Sequence, residues 1–384
     1  MSRGIRPTSS GARSNEHTLV WDLPTRLFHW MLVISFSVAW VTSDDNRYLD
    51  FHVFGGYTFF GLLVFRTVWG MVGSHYAHFR TFAHNWSSLH GYAKGLLNGQ
   101  ATRYLGHNPI GGLAILVMIG LGFLVSISGL VVFGGEEGHG PLAGVIPFEV
   151  GHAAKNIHEI LVWLMLGLVA VHIIGVIAES FIHKENLIWS MFSGYKEGRS
   201  TNSPIHGAIG AILLTLVFGS AVFFFRGYML QTPDRPYMPF QGPTLVFNET
   251  WQNACSECHL AYHPTLLPAR SWQKIADTQH DHFGEDLFLD DDTLQEITDF
   301  MINNSAETGK TEPAHLILNS IPSNETPLKI TETPYWIYKH SAVKPAYWKD
   351  KNVRAKDNCG ACHFDAKEGT FEDFGIHVPT LSEN

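Results

Sequence analysis

The sequence predicts an all-α protein in two parts: a transmembrane helical bundle followed by a mainly α-helical soluble domain. Three observations carry that expectation. Among the 384 residues, long apolar runs fill roughly the first 225, and the remainder is polar in character. From Gly227 onward there are about 23 Asp and Glu against about 12 Lys and Arg, so the second part is strongly acidic and the first slightly basic. All four cysteines fall in two Cys-x-x-Cys-His strings of the second part, which leaves no disulfide framework. An acidic soluble part is a poor match for nucleic acid and a suitable docking surface for a basic protein.

The elements follow in order. A polar tail, residues 1–17, shows no cleavable signal peptide, and the apolar segment after it would act as an uncleaved anchor. Five segments reach the roughly 20 residues needed to cross a bilayer: 18–41, 51–72, 110–133, 157–182 and 206–225. Helices buried in a soluble core are the alternative, and five such runs in succession argue against it. The expected plan is a bundle over 18–200, a fifth helix within 201–228, a linker over 229–248 punctuated by prolines at 231–239, and an outer domain over 249–384. Asp290, Asp291 and Asp292 open a helix that runs through Asn303, where acidic residues suit the helix start; the run reads as a cap, not a metal site.

Charge bias sets the expected orientation. Arg3, Arg6 and Arg13 precede the first span; Arg80, Lys94 and Arg103 lie between the second and third; Lys184, Lys196 and Arg199 follow the fourth. The intervening loops lean acidic, with Asp44, Asp45 and Asp50 against Arg47, then Glu136, Glu137 and Glu149 against Lys155. The amino terminus is therefore expected in the cytoplasm of a bacterial cell, and five crossings of the inner membrane deliver the acidic domain to the periplasm. Cys-x-x-Cys-His marks covalent attachment of haem c, which takes place outside the cytoplasmic membrane, so an independent argument agrees.

Ionisable residues inside spans are costly and usually functional. His29 lies in the first span, His52 at the start of the second, and His158 and His172 in the fourth. The 14 positions between the last two amount to about −40° around a helix and roughly 21 Å along it, so both project from one face near opposite membrane surfaces. Depth then pairs His52 with His158 on the periplasmic side and His29 with His172 on the cytoplasmic side, giving two bis-histidine haem b sites. A single membrane histidine could instead be a buried hydrogen-bonding residue; four that pair by depth favour ligation. His152, the nearest competitor to His158, falls on the opposite face, and His183 marks the membrane edge. His75, His78, His84, His90, His107 and His139 read as solvent-facing loop residues. Arg66, about one turn from the cytoplasmic end of the second span, either pairs with a haem propionate or snorkels to the surface.

Several strings carry a resemblance: residues 20–30 (Val-Trp-Asp-Leu-Pro-Thr-Arg-Leu-Phe-His-Trp), Phe65-Arg66-Thr67-Val68-Trp69-Gly70, residues 103–109 (Arg-Tyr-Leu-Gly-His-Asn-Pro), Glu185-Asn186-Leu187 and Gly194-Tyr195-Lys196. Over about 17–200 the chain resembles the bacterial cytochrome b561 family, which includes b-type subunits linking periplasmic hydrogenases to quinone. The resemblance implies a four-helix bundle with two haems b and a quinone site. The fifth span lies outside that pattern and is expected to anchor the tail domain.

In the outer domain, Cys255, Cys258 and His259 form the first string, and Cys359, Cys362 and His363 the second. Each places two thioether-forming thiols beside a proximal iron ligand; a zinc or redox Cys-x-x-Cys site would not require the histidine that follows both times. Spacing leaves the sixth ligands open among His263, His280, His282, His315, His340, His377 and Met301. Residues 266–272, His282-Phe283-Gly284 and 330–336 with His340 make the region from about Trp251 onward similar to the bacterial dihaem cytochrome c family, whose members use bis-histidine ligation and donate electrons to small soluble haem proteins. That resemblance implies His282 for the first haem and His340 for the second, with His280 the rival to His282.

The functional expectation is a wire of two b and two c haems between membrane quinol and a periplasmic redox protein, either as an electron-transfer subunit of a larger complex or as a quinol:cytochrome c type oxidoreductase. Electron entry from a periplasmic dehydrogenase with quinone reduction is the same wire reversed. A haem-based sensor or gas-binding module is a reading from another class, and six-coordinate haems argue against it.

Overall fold

The computed structural model describes residues 17–44, 48–198, 207–229, 240–245 and 247–382. Arg3, Arg6, Arg13, Asp45, Arg47, Arg199 and the 231–239 linker lie outside the described residues. Contacts divide the chain into two units. The first comprises Met1–Asp44, Tyr48–Ser126 and Ile160–Phe225, and the second Asp45–Arg47, Ile127–Glu159 and Arg226–Asn384.

In the first unit, a strand β1 (His17–Leu19) pairs antiparallel with β2 (Tyr195–Glu197). Helix α1 (Leu23–Val41) begins only after Asp22, whose carboxylate accepts the Thr25 N–H at 2.9 Å, and Pro24 occupies the first turn, where no amide donor is needed. These two residues explain why the apolar segment expected from 18 is helical only from Leu23. Helix α2 (Leu49–Val72) runs alongside α1. At one end, Phe28 of α1 packs with Leu62, Phe65 and Trp69 of α2. Toward the other, a Cβ on Gly55 would lie 2.9 Å from the Ser35 carbonyl oxygen, an approach that glycine alone permits.

Helices α3 (Trp86–Leu97), α4 (Pro109–Gly135), α5 (Phe148–His183), α6 (Leu187–Ser193) and α7 (Gly207–Phe224) follow. Phe59 and Leu63 of α2 meet Met165 of α5, with Leu32, Phe36, Met118 and Val169 around them, so α1, α2, α4 and α5 share one apolar seam. Leu214 brings α7 onto the α1–α2 face.

Among the described residues, four helices are long and apolar enough to cross a membrane: Leu49–Val72, Pro109–Gly135, Phe148–His183 and Gly207–Gly227. The sequence led us to expect five. The exception, α1, has 19 residues, about 28 Å of helix, but carries Pro24, Arg26 and His29 in its first turns. A second difference concerns α5, whose start is nine residues before the expected 157. Its 36 residues amount to about 54 Å, more than the ~30 Å hydrocarbon layer needs. The additional turns bury Phe148, Gly151 and Ala154, and a Cβ on Gly151 would come within 2.4 Å of the Glu136 amide nitrogen.

In the second unit, α8 (Glu249–Cys255), α9 (Ala269–Asp277), α10 (Asp291–Asn303), α11 (Glu312–Ser320), α12 (Pro334–Lys339) and α13 (Pro345–Trp348) are short and joined by tight turns. Trp251, Ala261 and Ile297 form one small core; Leu266, Ile317 and Ile321 form another. Asp290 caps α10, accepting from the Thr293 amide at 3.0 Å and its hydroxyl at 2.8 Å, as the sequence implied.

Candidate haem-binding sites

The first Cys-x-x-Cys-His string begins where α8, held by Trp251 in the core, delivers Cys255 into a turn. Cys258 is exposed, and the His259 ring follows with Nδ1 at 2.7 Å from the Leu260 carbonyl oxygen. His282 faces it: the two ring centroids are 6.3 Å apart and the planes 28° from parallel. A metal–nitrogen bond of about 2 Å on each side sets two axial imidazole centroids roughly 6 Å apart, so this spacing fits one iron between them. His282 is held by a backbone bond from its amide to the Glu285 carbonyl at 2.7 Å. His280 points elsewhere: its side chain is 77% exposed, with Nδ1 at 3.0 Å from Asp286.

The second string repeats the arrangement. Cys359 and Cys362 lie in a tight turn, and the His363 and His340 centroids are 6.2 Å apart at 67°. His340 follows the last turn of α12, which the buried Thr333 caps; its Nδ1 is 2.9 Å from the Trp336 carbonyl oxygen and its ring stacks on Trp336 at 4.2 Å. Burial pushes the His282, His340 and His363 imidazoles down from their ordinary value, which keeps them neutral and able to offer a lone pair to a metal. The other candidates are engaged differently. His263 is buried against Thr265, His315 stacks on Phe148, His377 stacks on Phe364, and Met301 packs beside the Trp251 cluster.

Of the membrane histidines, His29 on α1 and His172 on α5 lie close enough to interact electrostatically, and the buried His29 Nδ1 has no hydrogen-bond partner among the described residues. His52, in the first turn of α2, has Nδ1 2.8 Å from the Ala39 carbonyl oxygen. In the second unit, His158 has Nδ1 3.0 Å from the Ser128 hydroxyl of α4, and a Cβ on Gly129 would sit 3.1 Å from the His158 Cε1, so glycine makes room for the ring. A protein oxygen at Nδ1 thus orients His52, His158, His259 and His340, the arrangement that fixes the ring and tautomer of metal-binding histidines. His152 lies 3.5 Å from Glu136.

Arg66 does not reach the surface. It is 4% exposed, stands over the Phe79 and Phe82 rings at 4.9 and 5.5 Å, and leaves Nη1 without a partner among the described residues. The snorkelling alternative is therefore excluded, because the loop after α2 folds two aromatic rings over the guanidinium. His107, read from the sequence as solvent-facing, is half-buried: its ring packs between Trp21 at 4.7 Å and Phe82 at 4.6 Å. Its Nδ1 has no partner among the described residues, burial pushes its pKa down to about 3, and Arg66, Lys196 and His172 are near enough to act on it. The available signal was its place between Gly106 and Asn108, since Asn108 accepts the Gly111 amide and so fixes the start of α4. His139 is a further correction, fully buried with Nε2 3.0 Å from Glu372. His90 lies on α3 and not in a loop, although it is exposed as expected.

Comparison with known proteins matches these two regions separately. The family described as Prokaryotic cytochrome b561 matches residues 20–194, and Dihaem cytochrome c matches residues 251–371. A probable Ni/Fe-hydrogenase B-type cytochrome subunit of Azotobacter chroococcum is 25% identical over 48% of this chain and 90% of its own. The corresponding subunit of Azotobacter vinelandii is 26% identical with the same coverage. A solved dihaem cytochrome c of Rhodobacter sphaeroides is 35% identical over 34% of this chain and all of its own, with a TM-score of 0.30. Residues 20–194 thus match the prokaryotic cytochrome b561 family and residues 251–371 the dihaem cytochrome c family, in one chain with several membrane-length apolar helices.

Proposed function

We propose that this chain carries electrons across the bacterial inner membrane between the quinone pool and a periplasmic redox protein, using two haems b and two haems c. The observation that supports this best is the facing of His259 with His282 and of His363 with His340, at 6.3 and 6.2 Å. These two histidine pairs would hold a haem iron from both sides, which would suit electron transfer rather than gas binding. Bound haem supplies one-electron redox chemistry at these sites.

The chain's own residues hold and orient. Cys255, Cys258, Cys359 and Cys362 supply thioether links; His29 with His172 and His52 with His158 supply the ligands of the b haems, a pairing that rests on their depth along the helices. Arg66 offers a buried cation to a haem propionate, and His107 near it offers a nitrogen with no partner among the described residues to the same carboxylate or to a quinone oxygen. With the amino terminus cytoplasmic and the haem c domain periplasmic, quinol oxidation on the cytoplasmic side moves electrons outward with the field, worth about 2.3 kcal/mol per 100 mV for each. A second reading is favoured by the names of the hydrogenase B-type relatives: the chain would serve as the cytochrome subunit of a larger complex, taking electrons from a periplasmic dehydrogenase to quinone.

Pyridine haemochrome analysis of the purified protein tests the reading. The expected result is haem b and haem c in a one-to-one ratio; one b to two c would overturn the two-haem bundle. Redox titration of the four haems in membranes then orders their potentials and separates the two directions.

A further inference from the structure

Two polar contacts flank the segment that carries the second Cys-x-x-Cys-His string. On one side is His139, in the turn between α4 and α5, with Nε2 3.0 Å from Glu372 Oε2; the two side chains are 0% and 9% exposed. Phe133, Phe240 and Phe374 surround the His139 ring at 5.6, 6.3 and 6.0 Å and exclude water from the contact. Glu372 in turn donates its amide to Asp365, two residues beyond His363. The same turn accepts the Gln241 amide at the Gly138 carbonyl, 3.0 Å away, and Phe148 stacks on His315 at 4.3 Å. On the other side, Tyr262 stacks on His259 at 4.8 Å and donates its hydroxyl to the Asp357 carbonyl oxygen at 3.0 Å, two residues before Cys359.

The first string has different neighbours. Phe283, whose ring lies 4.9 Å from that of His282, and Phe288, six residues after His282, are 56% and 84% exposed, and both have left-handed backbones with φ of 56° and 51°. A bulky side chain held outward on a strained backbone suggests a functional constraint. Asp281, Glu285, Asp290, Asp291 and Asp292, next to them in sequence, are exposed, and Lys329 lies over the Phe283 ring at 5.5 Å. An apolar centre with a charged rim has the make-up of a protein-docking surface.

We propose that the two c sites are ordered. The second string is the inner one, seated on the α4–α5 turn by His139 and Glu372 and braced by Tyr262. The first is the outer one, and its Phe283–Phe288 patch with the carboxylate rim receives a small basic redox protein. This rests on the proposed electron-transfer function and deepens it by assigning the exit face. Tyr262 and His139 are positioning residues.

The test uses the full-length, haem-loaded protein in lipid nanodiscs, with hydrogen exchange read by mass spectrometry and a basic cytochrome c as probe. Protection is expected over 279–292 and not over 357–376; the reverse pattern overturns the ordering. Phe288→Ala should weaken probe binding about tenfold with unchanged haem spectra, and unchanged binding overturns the docking face. Failure of the probe to bind protein that contains all its haem also overturns the docking face but leaves the haem reading standing, whereas absence of haem c is the failure of that reading. His139→Ala should speed exchange over 370–376 on the order of tenfold, and Glu372→Gln, which keeps a hydrogen-bonding oxygen, should stay near the wild type. Equal exchange in all three proteins overturns the seating.

Discussion

At the scale of single residues, the two c sites differ from the rest of the histidine inventory in how the rings are held. His282 and His340 face His259 and His363 across 6.3 and 6.2 Å, while His280 is directed outward to Asp286. The prediction is specific to the sixth ligand. In His282→Ala and His340→Ala the thioether bonds remain, so haem c content should be retained, but one axial position opens. Carbon monoxide difference spectra of the reduced protein should gain a band in each variant and none in His280→Ala; a band in His280→Ala with none in His282→Ala would exchange their roles. Arg66 and His107 show a different kind of residue-level fact. Their sequence positions, in and just before apolar runs, left a surface location open, and only the fold brings Phe82 against both.

Among the elements, α5 carries most of the argument. It holds His158 and His172 on one helix, 14 residues and about 21 Å apart. Ser128 and Gly129 on α4 orient and accommodate His158, and His172 lies near His29. Replacing His158 with alanine is predicted to remove one haem b and replacing His172 the other, seen as loss of half the b-type absorbance with distinct residual midpoint potentials. His152→Ala should leave both; loss of a haem in that variant alone would move the ligand by six residues. The helix phase was legible in the sequence because 100° per residue is a property of any α-helix. The true start of α5 was not: Phe148, Gly151 and Ala154 are helical because they pack inside the second unit, and no local pattern announces that partner. For α1 the reverse holds, since Asp22 and Pro24 mark its start in the sequence itself.

For the whole molecule, the acidic surplus after Gly227 favours encounter with a basic carrier, acting chiefly on association rate. Stopped-flow oxidation of the reduced protein by a basic cytochrome c should slow as salt rises and the Debye length shrinks from about 30 Å at 0.01 M to about 10 Å at 0.1 M. Neutralising Asp291 and Asp292 together should flatten part of that slope, with Asp290 left in place because it caps α10. A rate indifferent to salt would point to a permanent complex. The all-helical character, the membrane-length helices after the first and the two resemblances were legible in the sequence. These follow from composition, run length and residue spacing, which are local properties of the chain. The packed fold was needed to find that Arg66 and His139 are buried and His107 half-buried, and that Glu372 meets His139 from 233 residues away. Such contacts depend on side-chain direction and on partners distant in the sequence, and a ring's environment is fixed only when the segments that cover it have packed.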